Sequence, residues 1–254
     1  MMSKDVVSIK ENEFMTKARQ LMRLHHFRSV PVVDDENRVT GVITRQDVLK
    51  ISSTKSNITV KGFVRECPTI VPGMSGLEAA RILLASKLEC APVVNSVHDR
   101  EMVGVLSITD IFKNLDIDIM PTRTVGEIMT TDVRVCSPKD PVSRCWANMD
   151  EYDYSGFPVV KRKKLIGIIT RYDIIKAGYA RTSRETGEGK SNRSTTVEKV
   201  MHTPVYTVHP ETTLKEAIEA MLKHDIGRLP VVNDGKLVGI IDRYDLISGY
   251  ISEA

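Results

Sequence analysis

The 254-residue chain has few of the sequence features that are typical of zinc-binding, membrane-spanning, secreted or nucleic-acid-binding proteins. Its four cysteines show no C-x-x-C spacing and no nearby histidine run, which argues against a zinc site and for reduced thiols. No apolar run approaches the roughly 18 residues of a membrane span, and the N-terminus lacks a signal peptide, so we expect a cytoplasmic location. The net charge is only +3, and interleaved basic and acidic residues give no global field for nucleic acid or membrane.

Motifs of catalysis are missing as well. The six histidines are scattered, and the chain contains no Walker loop, no G-x-G-x-x-G and no H-E-x-x-H. No nucleophile, base and orienting group can be assembled. We therefore predict that the protein is not an enzyme and needs neither a catalytic cofactor nor a metal.

What the chain does contain is one pattern written four times. Each copy has an x-P-V-V strand, a turn, and a second apolar strand with a glycine near its start and an aspartate just beyond its end. The glycines are Gly41, Gly104, Gly167 and Gly239. Units of about 60 residues lie near the lower limit for a self-supporting core, so we expect them to fold in pairs. The predicted domains are 1–55, 56–119, 120–182 and 183–254.

The fourth unit shows the predicted order of elements most clearly. Residues 204–208 alternate as a strand does, and Thr212 or Thr213 can cap a helix with apolar residues at helical spacing. A hairpin with a turn at residues 233–235 follows, and a second helix starts near Arg243. Each unit thus predicts strand, helix, strand, turn, strand, helix, an α/β (α+β) fold. Residues 116–122 and the Gly/Ser-rich stretch 180–195 are predicted connectors.

Polar residues recur where the last strand of a unit leads into its helix. The pairs are Thr44 and Asp47, Ser107 and Asp110, Thr170 and Asp173, and, with an aspartate in the first position, Asp242 and Asp245. One such pair is an ordinary N-terminal helix cap. Its recurrence also suits a nucleotide, because a hydroxyl at a helix N-terminus can bind phosphate and a nearby carboxylate can bind a ribose diol. Both interpretations stay open.

On these motifs the chain resembles four cystathionine-β-synthase (CBS) domains in tandem, and it is similar to archaeal stand-alone CBS proteins and to the γ subunit of the AMP-activated protein kinase. The resemblance covers essentially the whole chain and rests on x-P-V-V and G-h-h-[ST]-x-x-D. It implies four β-α-β-β-α repeats paired into two modules with pseudo-twofold symmetry. It further implies clefts for adenosine ligands, in which Asp binds ribose, Ser or Thr binds phosphate, and the residues before the proline of the paired repeat complete the cleft.

Carried over residue by residue, the resemblance makes the four clefts unequal, and we name each cleft by its aspartate. The Asp173 cleft, with Thr170, would face Arg228 in a G-R-L-P segment similar to the phosphate-binding H-R-L-P of the kinase γ subunit. Arg171 is a further candidate for phosphate. An arginine pairs with phosphate as a charge-assisted fork, which favours a nucleotide in this cleft.

The clefts of the first module differ in the charge that faces them. The Asp110 cleft, with Ser107, would face Arg28, so it also offers an arginine to phosphate. The Asp47 cleft, with its phosphate candidate Thr44, would face a glutamate that repels phosphate, so we expect it to be weak or empty. These differences predict one good nucleotide site per module.

The Asp245 cleft has an aromatic segment opposite it, similar to the adenine-holding Y-S-G-F-P of chloride-channel CBS modules. The candidate adenine contacts are Tyr154, Ser155, Phe157 and Pro158. Because Asp242 occupies the usual Ser/Thr position, this cleft favours a nucleoside, a cationic adenosyl compound such as S-adenosylmethionine, or no ligand over a phosphate.

Together these features predict a regulatory sensor of AMP, ADP or ATP that acts on an unidentified protein, and we expect a homodimer. Whether the two modules close within one chain or only in a dimer stays open. The alternatives are an interaction scaffold with vestigial clefts, binding of S-adenosylmethionine or a nucleoside, and nucleic-acid binding through residues 161–164 and 181–193. Nucleic acid is disfavoured because the basic run 161–164 falls in a predicted hairpin turn.

Overall fold

The computed structural model describes residues 1–51, 57–115, 122–178 and 195–252. Each unit contains a helix, a two-stranded hairpin and a second helix. The strands are β1 (Ile9–Lys10), β2 (Ser29–Val33), β3 (Val39–Thr44), β4 (Cys90–Val94), β5 (Met102–Ser107), β6 (Gly156–Lys161), β7 (Lys164–Thr170), β8 (Arg228–Asn233) and β9 (Lys236–Asp242). The α-helices are α1 (Met15–His25), α2 (Arg45–Leu49), α3 (Gly76–Ser86), α4 (Ile108–Asn114), α5 (Val125–Ile128), α6 (Val142–Glu151), α7 (Arg171–Lys176), α8 (Leu214–Lys223) and α9 (Arg243–Ile251).

The hairpins form where the turn chemistry predicts them. Strands β8 and β9 pair antiparallel, and the two residues between them, Asp234 and Gly235, have positive φ values of 49° and 72°. This is the left-handed backbone of a tight two-residue hairpin turn. The basic run 161–164 forms the corresponding turn between β6 and β7, with all four residues exposed.

Helix α8 begins and packs for local reasons that the sequence predicts. The Thr213 side chain accepts a hydrogen bond from the backbone N–H of Glu216 at 3.2 Å, and the Glu216 carboxylate accepts one from the backbone N–H of Thr213 at 2.9 Å. This capping box satisfies two otherwise unpaired donors. The apolar face of the helix is buried: Leu214, Ala217, Ile218 and Met221.

In each unit, the stretch that precedes the helix before the hairpin pairs with the other unit of its module. We call this stretch the exchanged segment. Backbone bridges mark this exchange: Ser3 with Val105 and Arg65 with Val42 join units one and two, and Thr130 with Ile240 and His202 with Ile168 join units three and four. The repeated glycines permit the close approach, because a Cβ on Gly41 would lie 2.2 Å from the carbonyl oxygen of Arg65. The chain is therefore built as two pairs of repeats, and the predicted fold class is confirmed.

The hydrophobic cores run across the two modules. One core joins the first and third units, with Met22 and Met149 fully buried in it, and the other joins the second and fourth units, with Leu83 and Leu246. Helix α1 contacts α7, and α3 contacts α9. The modules consequently close on one another within a single chain.

Some predictions differ from the structure or fall outside it. Residues 204–208 do not form a strand: only Val208 pairs, in a single parallel bridge with Val231, and Pro204 has no N–H to donate to a ladder. The predicted domain boundaries and most of the connectors 116–122 and 180–195 lie outside the described residues, as do residues 181–193. Among the helices of the described part of the chain, none is long and apolar enough to cross a membrane.

Candidate functional site

The four strand-to-helix junctions share one geometry. The last residue of the strand is the N-cap of the next helix, and the aspartate three residues later closes a capping box. In the third unit, Oδ2 of Asp173 accepts hydrogen bonds from the backbone N–H of Thr170 at 2.8 Å and from its hydroxyl at 2.6 Å. Within the described residues, Oδ1 of Asp173 accepts none, so it is available to a ligand. The helix cap and a ribose site can therefore use different oxygens of the same carboxylate.

The Asp173 cleft opens into a cavity of about 1160 Å³ in the middle of the molecule, which we call the central cavity. All four units contribute to its lining. Thr170 and Asp173 line it together with Gly227, Arg228 and Arg171. The structure thus brings the predicted members of this cleft together around one space.

Arg171 is less free than the sequence suggests. Its Nη2 donates to the carbonyl oxygen of Met149 at 2.9 Å and to Oδ1 of Asp153 at 3.2 Å, and its side chain is 12% exposed. These bonds hold the guanidinium against the end of α6. Arg171 contributes positive charge to the cavity, and Arg228 is the better placed of the two to touch a ligand.

Arg228 lies between the two clefts of the second module. It lines both the central cavity and the smaller cavity of the Asp245 cleft. Its guanidinium donates to the hydroxyl of Ser155, and a methyl group on Gly156 would lie 2.7 Å from its Nη1. Burial lowers the pKa of Arg228, while the carboxylate of Asp242 acts in the opposite direction. A buried guanidinium in this place can meet an anion from either cleft.

Two aromatic side chains that the sequence analysis did not single out stack in the central cavity. The rings of Tyr206 and His224 have centroids 3.6 Å apart and planes inclined by 19°. In the third unit the corresponding place holds Arg134, which lies 3.7 Å above the ring of Tyr152. Tyr206 and Arg134 each lie two residues before the parallel bridge of their unit. A comparison of these positions between units would have revealed the stacked rings. Stacked aromatic rings can bind a planar base.

The Asp245 cleft forms a second cavity of about 150 Å³, which shares Arg228, Asp242 and Asp245 with the central cavity. Its lining includes Asp242, Asp245 and the four candidate adenine contacts, Tyr154, Ser155, Phe157 and Pro158. Tyr154 is 39% exposed and meets the ring of Phe157 edge to face at 5.7 Å, whereas Phe157 is buried. Tyr154 can therefore offer a ring face to a ligand, while most of Phe157 belongs to the core.

Asp242 and Asp245 form an acidic pair in this cleft. Oδ1 of Asp242 accepts from the backbone N–H of Asp245 at 3.2 Å, and Oδ2 of Asp245 accepts from that of Asp242 at 2.9 Å. Burial, followed by the charge of Asp242, raises the pKa of Asp245 from 3.8 to about 7. Burial also raises the pKa of Asp242, while the guanidinium of Arg228 opposes that shift. Such a pair suits a neutral or cationic group better than a phosphate.

In the Asp47 cleft the carboxylate is already engaged. Oδ1 of Asp47 accepts from Nε and Nη2 of Arg65 at 2.9 and 2.7 Å. Oδ2 accepts from the backbone N–H and the hydroxyl of Thr44 at 2.9 and 2.6 Å. Both oxygens are therefore used within the chain. Arg65 was missed because it belongs to the exchanged segment of the next repeat, outside every motif that the repeats share.

Arg28 is paired with a carboxylate of its own module. Its Nε pairs with Oε2 of Glu89 at 2.8 Å, and it lines the central cavity. In the part of the chain that the structure describes, no hydrogen bond or ion pair joins Arg28 to Ser107 or Asp110. Asp110 instead keeps only its cap, with Oδ2 bonded to the Ser107 hydroxyl at 2.6 Å. Glu89 therefore competes with a phosphate in the Asp110 cleft for Arg28, and the role of Arg28 in that cleft stays a prediction.

All four cysteines are free, and Sγ of Cys136 and Sγ of Cys145 lie 2.7 Å apart inside the core of units one and three. No group of three or more His, Cys, Asp or Glu side chains in the described ranges could hold a metal ion. The clefts present hydroxyls, carboxylates, guanidinium groups and aromatic rings.

Known proteins share this architecture. The family model for the CBS domain matches residues 1–54, 60–117, 125–180 and 197–252. The protein MJ1225 of Methanocaldococcus jannaschii is 26% identical over an alignment of length 268, which covers 96% of this chain and 95% of that protein. Its crystal structure, whose description relates it to g-AMPK, matches with a TM-score of 0.83 at 25% identity, over 97% of this chain and 96% of that one.

A second solved structure shares the fold alone. It is a protein from Pyrococcus horikoshii, with a TM-score of 0.66 and 20% identity over 97% of this chain and 96% of that chain. The repeats, their paired exchange and the match of the family model over most of the chain lead to one conclusion. The chain belongs to the CBS domain family and carries four CBS domains in tandem.

Proposed function

We propose that this chain is a regulatory sensor without catalytic activity that binds an adenine nucleotide, AMP or ADP before ATP, in its Asp173 cleft. CBS domain pairs bind adenosine-containing ligands in regulatory roles, and four such domains account for most of this chain. The regulated target is a separate protein, and we expect the sensor to act as a homodimer in the cytoplasm.

One observation carries the proposal: the three parts of a nucleotide find matching groups in one cavity. Arg228 offers charge and hydrogen-bond donors to a phosphate, and the Thr170 hydroxyl joins it when its proton turns from Asp173 to the phosphate. The free Oδ1 of Asp173 can accept from a ribose hydroxyl. The stacked rings of Tyr206 and His224 offer a face to adenine.

The other clefts support different ligands. The Asp245 cleft combines the exposed ring of Tyr154 with an acidic pair, which favours a nucleoside or a cationic adenosyl compound such as S-adenosylmethionine. The Asp47 carboxylate is bonded to Arg65, so that cleft binds weakly or not at all. The Asp110 cleft gains an arginine for phosphate only when Arg28 leaves its partner in the central cavity.

Ligand binding can change the relative placement of the two modules because they share their hydrophobic cores. A ligand in the central cavity touches a lining drawn from all four repeats. Helices α1 and α7, and α3 and α9, carry any shift of one module to the other. A ligand that binds one relative placement of the modules better than another shifts the population toward it, which is how occupancy becomes a signal.

The test is isothermal titration calorimetry of the full chain with AMP. Asp173→Ala should weaken binding at least about tenfold, because a hydrogen bond from ribose to a charged acceptor is worth about 1.5–3 kcal/mol. Asp47→Ala is the matched control: it removes the same capping-box residue, whose carboxylate is already engaged by Arg65, and should leave AMP affinity within about threefold. The double variant Asp173→Ala with Asp110→Ala should not bind AMP, and retained affinity there would sink the assignment of the sites.

A further inference from the structure

Glu89 lies at the point where the two modules meet in the central cavity. Its Oε2 pairs with Nε of Arg28 at 2.8 Å and with Nη1 of Arg243 at 3.4 Å. Arg28 and Glu89 belong to the first module and Arg243 belongs to the second. One carboxylate oxygen thus holds a cation from each module, and its side chain is 19% exposed to the cavity.

Arg243 depends on this contact. Its side chain is 2% exposed, its Nη2 donates to the carbonyl oxygen of Ile226 at 3.0 Å, and its Nε is buried without a partner in the described part of the chain. The carboxylate of Asp225 lies 3.8 Å from Nη2 but is itself largely exposed. A buried guanidinium with an unused donor attracts any anion that can reach it.

Three arginines follow one another from the Asp173 cleft: Arg228 and Arg28 line the cavity, and Arg243 is buried against Glu89. Arg228 comes first, because Gly156 lies against both its Nη1 and the side chain of Thr170. Gly227 comes next, and a methyl group on it would lie 3.2 Å from Nη2 of Arg28. Beyond it lie Glu89 and its two arginines. A phosphate group beside Thr170 would meet Arg228 first, and only a longer phosphate chain that extended toward Arg28 would meet Glu89.

We propose that Glu89 is a specificity-determining residue that stands in for a phosphate group between Arg28 and Arg243 and thereby makes the Asp173 cleft prefer a nucleoside monophosphate to di- and triphosphates. This inference rests on the proposed nucleotide site and adds the residue that discriminates between phosphate chains of different length. A second phosphate group has to displace the carboxylate from Arg28 and Arg243 or lie beside it. Both cost free energy, since like charges repel more strongly at a protein surface than in bulk water. The first phosphate group does not meet that cost.

The experiment compares AMP, ADP and ATP, without divalent metal, by calorimetry on the full-length wild type and on Glu89→Gln. The amide keeps the shape and removes the charge. The variant should bind ADP and ATP about tenfold more tightly than the wild type, while its affinity for AMP changes less than about threefold. Glu66→Gln is the matched control, because Glu66 is an exposed carboxylate in the lining of the same cavity. It should move all three affinities by less than about threefold.

Equal shifts for the three nucleotides, or no shift, would overturn the role of Glu89. Arg28→Gln covers the case in which Glu89→Gln does not fold, since it removes the opposite charge from the same pair. It should weaken ADP and ATP at least about fivefold more than AMP, and equal losses would also overturn the role. Inorganic pyrophosphate, followed by thermal shift, separates the two proposals. If the wild type binds no nucleotide, the proposed function fails. Glu89 then keeps its role only if Glu89→Gln binds pyrophosphate more tightly than the wild type does.

Discussion

Arg65 is clamped on Asp47: two of its nitrogens donate to one carboxylate oxygen, at 2.9 and 2.7 Å, and its Nη2 also donates to the side chain of Gln46 at 2.9 Å. Asp47 is one of the few buried charged residues of the described chain, with 3% exposure. The contact links the helix start of the first repeat to the exchanged segment of the second. It both closes the Asp47 cleft and joins the two repeats.

We predict that Arg65→Ala lowers the free energy of unfolding by about 1–3 kcal/mol, because it leaves a buried carboxylate without its charged partner. The measurement is urea denaturation followed by circular dichroism. Arg23→Ala, at an exposed position in the last turn of α1, is the control and should change stability by less than about 0.5 kcal/mol. If the two variants lose the same stability, the clamp contributes nothing of its own.

The second prediction concerns the close approach of the chain at Gly41. A Cβ there would lie 2.2 Å from the carbonyl oxygen of Arg65 and 2.5 Å from the Val64 side chain. Backbone cannot yield as a flexible side chain can, so Gly41→Ala should cost about 2 kcal/mol or more and loosen the exchange between the first two repeats. Gly62 has nothing within 4 Å, and Gly62→Ala should be neutral or stabilising by up to about 1 kcal/mol. Thermal melts of both variants decide the matter, and a neutral Gly41→Ala would contradict the close approach.

The acidic pair gives a prediction about pH. Asp245 ionises near 3.8 in the unfolded chain and near 7 when folded. Between these values the folded chain binds more protons than the unfolded one, so this group makes stability fall as pH rises, and the penalty is complete above about pH 7. Asp245→Asn removes that penalty. The free energy of unfolding of the variant, minus that of the wild type, should therefore increase from pH 4 to pH 7.

Urea denaturation across this pH range measures the difference directly. Asp110→Asn is the matched control, since it changes the same capping-box position beside the neutral Ser107 rather than beside a second aspartate. Its difference from the wild type should lack that increase. A flat profile for Asp245→Asn would mean that burial and the charge of Asp242 do not raise the pKa of Asp245 in the folded chain.

Tyr206→Ala tests the aromatic stack. Loss of the ring should weaken AMP binding in the Asp173 cleft by about 1–3 kcal/mol, the usual worth of one base stacked on an aromatic ring. Tyr152→Ala removes the ring that stands at the position of His224 in the third repeat, where Arg134 covers it, and should leave AMP affinity within about threefold. Calorimetry with AMP compares the two. Equal losses would show that neither ring contacts the base.

Several features of the fold could be predicted because they depend on short stretches of chain. The turn at Asp234 and Gly235 and the caps at Thr213 and Thr170 form between residues at most three apart, so local chemistry settles them. Residues 204–208 show the limit of this reasoning. Their alternation is typical of a strand, but a strand also needs a partner along its length, and only Val208 has one.

The candidate sites divide in the same way. Thr170, Asp173 and Arg228 could be assigned because each belongs to a motif that the four units share. Arg65 could not, since it lies in an exchanged segment whose neighbours come from another repeat, and Tyr206 could be found only by comparing equivalent positions between units. A long side chain near such a boundary can reach more than one partner, and its own surroundings in sequence do not indicate which.

The sequence by itself determined that this protein is a fourfold repeat, that each repeat ends its hairpin in a capped helix, and that the repeats pair, because periodicity, turn residues and caps act over a few residues. The tertiary structure alone decided which charged groups meet. Arg28 pairs with Glu89, which also meets Arg243 of the other module, and Arg65 pairs with Asp47. Which carboxylate a long cationic side chain pairs with depends on the distance between them and on their burial. Both depend on how the two modules pack against each other.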